Sequence, residues 1–550
     1  MPGKGNDGFA DQSQVVEGSS NDFLESDEVV NSTEHPVVSS FTGRPLSERV
    51  HRIKKLHMIR NDLKINPFPS NFPCANITIA ELKERFGDLR AGDSLHVPFF
   101  TINGRIMSVR NNGMFVDISD NKDIIQMFYP QISSENRECN SSRLMKYLDV
   151  GDFIGVTGYI RKTKRGELTL HCLNVRILSK SLSPFPDKFK GLKDMETRYR
   201  QRQLDLLINK DAKNVLCTRF HLISFLRKYL EQLGFLEVET PLLHSVSSGA
   251  SARPFFTNCE TLKSNLSLRV SPELHLKRLI IGGLSDKVGS LMLLQIFEIN
   301  RCFRNEGVSV WHNPEFTTLE AYQAYANYEM LMDLVEALIK ESAMHVLSQL
   351  ECIYQNTKVH FHGIWPRHSM LSLIVEHTGV NFTEMTTAQA IAAANRMSIP
   401  LIHGENHTWG EVVEKVFECK VQNLLIQPIH VTHYPVDVSP LAKVCQNDNR
   451  LTERFETYIC GRELANGYSE LNDALEQRKR FEFQIQQQAN DMLCPRQMDH
   501  IIATTGFSAS IGTRHAPHRR IGARIGQAHY DSHEFKINQG CPRISCHEER

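Results

Sequence analysis

Residues Phe297 to Tyr328 read FEINRCFRNEGVSVWHNPEFTTLEAYQAYANY. From Phe297 to Arg304 the chain alternates, with Phe297, Ile299, Arg301 and Phe303 on one face and Glu298, Asn300, Cys302 and Arg304 on the other. That period of two predicts a strand. Asn305 to Pro314 is polar and broken by Gly307 and Pro314, which predicts a loop, and Glu315 to Tyr322 alternates again. The two strands make an antiparallel hairpin. Arg304, Glu320 and Tyr322 lie on its open face, and Glu306 and His312 lie in its loop. An arginine at a strand end forks onto a phosphate. A phenylalanine ring stacks on a flat base, and a carboxylate two residues from a phenol suits an ammonium group. From this chemistry alone, a solvated hairpin with ordinary surface charges reads about as well.

The run FRNEG followed by HNPEFTTLEAYQAYANY resembles motif 2 of the class II aminoacyl-tRNA synthetases, and specifically of lysyl-tRNA synthetase. The resemblance implies an α+β chain: an N-terminal OB-fold β-barrel, then a class II antiparallel-sheet catalytic domain flanked by helices. It implies that Arg304 is catalytic and holds the ATP α-phosphate, that Phe316 stacks on adenine, and that Glu306, His312 and Asn313 line the ATP site. Glu320 and Tyr322 would meet the side-chain ammonium of lysine.

A second stretch, Arg454 to Asp473, reads RFETYICGRELANGYSELND. Two carboxylates brought close on a hairpin suit Mg²⁺, which prefers oxygen ligands and bridges phosphates; as bare residues they read more readily as solvated surface. The stretch resembles lysyl-tRNA synthetase nearly position for position. That implies Glu456 and Glu463 on Mg²⁺–ATP, and Asn466 and Glu470 at the lysine. Glu273, in Ser271-Pro272-Glu273-Leu274, is a further candidate carboxylate for the amino acid. Gly249 sits in a small-residue loop, SGASARPF, that lets backbone approach the substrate. Glu273, Glu320 and Glu470 together give an acidic pocket suited to two ammonium groups; an aspartyl-type enzyme would need cations there, and the three glutamates also disfavour the runner-up, an aspartyl- or asparaginyl-tRNA synthetase.

Leu95 to Ser179 reads as five short alternating runs with turn signals at Asn112-Gly113 and Lys164-Arg165-Gly166, which suits an OB barrel binding single-stranded nucleic acid. Phe115 as a stacker and Gln126 and Glu167 as base-edge readers are candidates, each of which alone reads better as barrel core or surface. GDFIGVTGYIRKTKRGELTLH is similar to the family's anticodon-binding domain, which implies tRNA(Lys) as partner. The basic run Arg52, Lys54, Lys55, Arg60 and Lys64 reads equally as an RNA track or a solvated face.

The expected organisation is an acidic disordered tail over 1–45, a helical lead-in and barrel over 46–180, a linker over 181–209, a catalytic domain over 210–493 and a His- and Arg-rich tail over 494–550. Ala212 to Leu233 predicts an amphipathic helix with Leu216, Phe220, Ile223, Leu226 and Leu230 on one stripe. GFLEVETPLL, Gly234 to Leu243, resembles motif 1, which implies a homodimer. Net formal charge is zero, so global charge does not argue for nucleic acid. No apolar run reaches about 18 residues, so no membrane span is expected. The 13 cysteines lack CxxC pairs, which predicts reduced thiols and a cytoplasmic setting.

Two stretches depart from the family. Gly289 to Gln295, GSLMLLQ, interrupts the approach to motif 2 and reads as a retained intron or mis-spliced segment. After Leu493 there is no leucine and no recognisable motif 3; neither Arg520 nor Arg524 maps onto it. A frameshift or aberrant splice accounts for that end, and the alternative is a catalytically defective tRNA-binding or regulatory form.

Overall fold

The computed structural model describes residues 46–71, 74–130, 140–184, 192–244, 252–261, 263–284, 295–309, 312–401, 407–490 and 519–524. The tail expected to be disordered, Gly249, and residues 289–294 of the apolar run lie outside them. The chain divides into two units, Met1–Ile208 and Asn209–Arg550.

The first unit opens with α1 (Leu46–Asn61) and α2 (Ile79–Phe86). Thr78 and Glu81 close a capping box at the start of α2, satisfying backbone donors the helix cannot use itself. Then come β1 (Ser94–Arg110), β2 (Phe115–Ser119), β3 (Ile124–Phe128), α3 (Asn140–Met145), β4 (Phe153–Lys162) and β5 (Leu168–Ser179), followed by α4 (Met195–Arg200) and α5 (Arg202–Ile208). The strands form a closed barrel in the order β1-β2-β3-β5-β4. Alternation sends Ile102, Ile118, Met127, Val156 and Leu170 inward, where they pack with Ile79 and Leu82 of α2. Gly158 is required where β4 meets β5: a Cβ there would stand 2.1 Å from the His171 carbonyl oxygen. Two of the five residues of the basic run are held within this unit, while Lys54, Arg60 and Lys64 are exposed. Arg52 is buried and donates to the Val150 and Ser181 carbonyls, and Lys55 pairs with Asp149 at 2.6 Å.

The second unit begins with α6 (Lys210–Gln232), then β6 (Leu236–Glu237), β7 (Leu243–His244), β8 (Phe256–Cys259), β9 (Ser264–Leu268) and α7 (Glu273–Ile281). The predicted hairpin follows as β10 (Gln295–Phe303) and β11 (Glu315–Gln323), with Glu298 opposite Glu320. After α8 (Tyr328–Leu347) come β12 (Glu351–Tyr354), β13 (Thr357–His360), β14 (Arg367–Ser369), α9 (Met370–Thr378), α10 (Thr387–Arg396), α11 (Trp409–Lys420), β15 (Ile429–Thr432), β16 (Arg454–Ile459), β17 (Arg462–Ser469), α12 (Ala474–Asn490) and β18 (Arg519–Arg524). Eight strands form one sheet, β14-β15-β16-β17-β18-β11-β10-β6, antiparallel except where β10 meets β6 and β14 meets β15.

One face of this sheet is apolar. Phe297, Leu319, Phe455 and Ala465 pack under α6 and α8 through Leu226, Leu230, Leu331 and Val335. The opposite face carries the acidic side chains. The α6 stripe is covered unevenly: Leu226 and Leu230 are buried, Leu216 and Ile223 are half-buried, and Phe220 is 61% exposed. The tail differs too. Its six described residues, β18, pair with β11 on one side and β17 on the other. A segment without apolar periodicity therefore forms a central strand, because pairing on both edges, more than intrinsic preference, decides strand placement.

Candidate active site

A single row of paired backbone positions crosses the polar face. Glu456 lies opposite Asn466, Asn466 opposite Gly522, Gly522 opposite Glu320, and Glu320 opposite Glu298. Directly opposite residues share a face, so segments from distant parts of the chain converge there.

At the β11 end the carboxylates are buried. Glu320 is 2% exposed; Ser271 Oγ donates to its Oε1 at 2.8 Å and the Tyr322 hydroxyl to its Oε2 at 3.1 Å. Ser271 Oγ also accepts from the Glu273 backbone N–H at 3.2 Å. Glu273 Oε1 accepts the Tyr468 hydroxyl at 2.5 Å and the Lys277 ammonium at 2.8 Å, and Lys277 reaches Glu470 Oε2 at 2.6 Å. All three expected glutamates thus belong to one connected, water-poor cluster. Burial alone would lower the Lys277 ammonium; Glu273 and Glu470 outweigh it and hold it above the usual lysine range.

At the hairpin mouth, Arg304 leaves β10 with its backbone N–H on the Pro314 carbonyl at 2.9 Å. Its guanidinium carbon stands 5.3 Å from the Phe316 ring centroid. Glu306, His312 and Asn313 are exposed beside it, and the His312 ring shares a hydrogen bond with Ser309 Oγ at 2.9 Å. Cation, ring and polar loop are therefore together.

Across the row, Glu456 is 6% exposed and accepts from Arg454 at 2.5 Å and from the hydroxyls of Tyr434 at 3.0 Å and Tyr458 at 2.6 Å. Burial and Glu456 push both phenols well above the ordinary tyrosine range, so they remain donors. Beside the turn Tyr458 pairs with Glu463, so Glu463 lies on the face that Tyr458 shares with Glu456, and a register shift between Thr457 and Tyr458 brings Asn466 rather than Ala465 opposite Glu456. Asn466 accepts from Arg454 Nε at 3.4 Å.

On the barrel, Phe115 and Phe128 rings stand 5.2 Å apart on the outer face, and Gln126 donates to Thr169 Oγ1 at 3.0 Å and accepts from Arg110 at 3.1 Å. Glu167 is exposed two residues before Thr169, on the same face.

The profile described as tRNA synthetases class II (D, K and N) matches residues 194–506, and the OB-fold nucleic acid binding domain profile matches 100–178. The lysine–tRNA ligase of Sinorhizobium medicae is 44% identical over 437 residues, covering 79% of this chain and 84% of that protein. That of Carboxydothermus hydrogenoformans is 43% identical over 441 residues, covering 80% and 86%. The chain belongs to the lysine–tRNA ligase family of class II tRNA synthetases. The family's two-domain plan accounts for the barrel and the antiparallel sheet.

Sequence reasoning passed over Ser271, Lys277, Tyr468 and Arg454, which contact these carboxylates. Lys277 had a local signal, four residues after Glu273 on a helix, the spacing at which charges meet. Tyr468 had one as well, alternating with Asn466 and Glu470. Arg454 and Ser271 carried none beyond proximity.

Proposed function

We propose that the chain is a lysine–tRNA ligase that activates L-lysine with ATP and transfers the lysyl group to tRNA(Lys). The observation that carries this reading is the buried cluster of Glu273, Glu320 and Glu470 beside the Arg304–Phe316 corner. In adenylate formation a lysine carboxylate oxygen attacks the α-phosphorus, a new O–P bond forms, the bridging P–O bond to the β-phosphate breaks, and pyrophosphate leaves with that electron pair. Ribose hydroxyl attack on the lysyl carbonyl then releases AMP and leaves the lysyl ester on tRNA. No side-chain nucleophile is needed; positioning and charge neutralisation supply the catalysis. Arg304 neutralises the α-phosphate, Phe316 stacks on adenine, and Glu306, His312 and Asn313 line the nucleotide. Glu320, Tyr322, Glu273, Asn466 and Glu470 receive the lysine, with Gly249 in the loop above it.

Glu456 and Glu463 on one face are a fitting donor pair for Mg²⁺, which is commonly held by one or two carboxylates together with substrate phosphates. They would hold the ion, which supplies neutralisation of phosphate charge. Among the described residues no cluster of three metal-ligating side chains forms a preassembled cage, which agrees with an ion arriving with ATP.

The barrel reads the anticodon through Phe115 as stacker and Gln126 and Glu167 at base edges. Base–aromatic stacking contributes roughly 1–3 kcal/mol. Phe115→Ala should therefore weaken tRNA(Lys) binding about 5- to 100-fold and leave tRNA-independent ATP–pyrophosphate exchange unchanged; nitrocellulose filter binding and exchange assays check both halves. Two copies would meet over the apolar surface left by Phe220, Leu243 and Phe256, which are 61%, 48% and 56% exposed. Among the described residues no helix is long and apolar enough to cross a membrane, and the free cysteines suit the reducing cytoplasm.

The deciding experiment is ATP–pyrophosphate exchange by the purified 550-residue chain with lysine, aspartate or asparagine. Lysine alone should support exchange. A folded chain that binds tRNA(Lys) yet exchanges with no amino acid would overturn the reading.

A further inference from the structure

The Lys277 ammonium touches two carboxylates that the functional reading gives to the substrate, at 2.8 Å from Glu273 and 2.6 Å from Glu470. Glu273 opens α7 and Glu470 follows β17, 197 residues apart in sequence. Lys277 is 4% exposed and lies 5.8 Å from the Tyr468 ring centroid, so its charge is withdrawn from bulk water. Such a group is poor as a stabilising device, since desolvating the ions largely cancels their attraction, and apolar residues in place of all the ions together would often hold the core as well. It is better suited to holding two like-charged groups at a distance they would not keep alone.

We propose that Lys277 is a positioning and specificity-determining residue, an internal cation that clamps Glu273 and Glu470 and leaves the pocket with the charge that matches a substrate bearing two ammonium groups. This rests on the lysine-activating reading. With Glu273, Glu320, Glu470 and Lys277 all ionised, the cluster carries two negative charges. Lysine brings an α- and an ε-ammonium. Without Lys277, Glu273 and Glu470 would face each other as buried like charges, and one of them would hold a proton through neutral pH. The pocket would then lose a charge-assisted acceptor and become sensitive to pH. Lys277 touches no reacting atom and acts through the two carboxylates.

The test is exchange by the full chain at pH 6.5 to 8.5, reading the KM for lysine and kcat separately. The unaltered chain should keep a flat lysine KM across this range. Lys277→Met should raise it at least about tenfold at the acid end, the effect of losing one charged hydrogen-bond partner, with a smaller change in kcat. Its KM should fall as pH rises and the shared proton leaves. Lys277→Arg keeps the charge and should keep the flat profile. A Met variant with an unaltered lysine KM and a flat profile overturns the proposal, as does an Arg variant with the Met variant's pH dependence. Should the Met variant fail to fold by circular dichroism, Lys277→Gln takes its place and the Arg variant still decides. Absence of exchange in the unaltered chain is a failure of the functional reading, whereas exchange with an indifferent Lys277 is a failure of this inference alone.

Discussion

A chain ending at Asn490 should lose the cooperative unfolding of its sheet-bearing unit and all lysine-dependent exchange. The reason is the position of β18. Arg520 pairs with Tyr322 on one side and Tyr468 on the other, and Gly522 with Glu320 and Asn466. Removing the strand splits an eight-stranded sheet through its middle and opens the inner edges of β11 and β17. Each buried backbone group left without a partner costs about 1–3 kcal/mol, against a total stability of about 5–15 kcal/mol for an ordinary domain. A few such groups suffice. Gly522→Pro is the milder version, since proline removes one N–H from a central strand. Scanning calorimetry should show the second unit's transition absent in the truncated chain and shifted down by several degrees or more in the proline variant. A truncated chain melting like the full one would refute the role given to this strand.

Arg304→Ala should lower lysine-dependent exchange about 10³-fold, the lower end of what an arginine acting on transferring phosphoryl groups contributes. The fold should survive. The backbone bond from Arg304 to Pro314 does not need the side chain, and Phe316 remains half-buried in the same strand. The loss should fall on kcat and on the KM for ATP, while lysine affinity by calorimetry stays within about threefold, because the amino-acid carboxylates belong to a separate hydrogen-bonded cluster. Loss of lysine affinity in equal measure would mean that the two halves of the site are not independent.

Much of this was legible in the sequence where local pattern and final structure obey the same rule. The alternation from Phe297 to Arg304 predicts which residues face the helices and which face the site, and the hairpin register follows from it. The barrel strands announce themselves in the same way. What was not legible depends on partners far along the chain. Nothing near Thr457 signals the register shift that puts Asn466 opposite Glu456. Phe220 fits the apolar stripe of α6 by spacing, yet the stripe runs beyond the surface that α8 and the sheet cover. Arg519 to Arg524 has a composition that disfavours a strand, and only pairing on both sides accounts for it. The acidic pocket was legible as three glutamates, but the cation within it was not.

The sheet also dictates an order of events during synthesis. The row from Glu298 to Glu456 closes only through Gly522, and that glycine is translated after every other member. Until it leaves the ribosome, β11 and β17 each present an open edge to the crowded cell, the kind of edge on which chains pair with the wrong neighbour. A nascent chain stalled after α12 should therefore be held by chaperones, and release of the last segment should be the step that frees it.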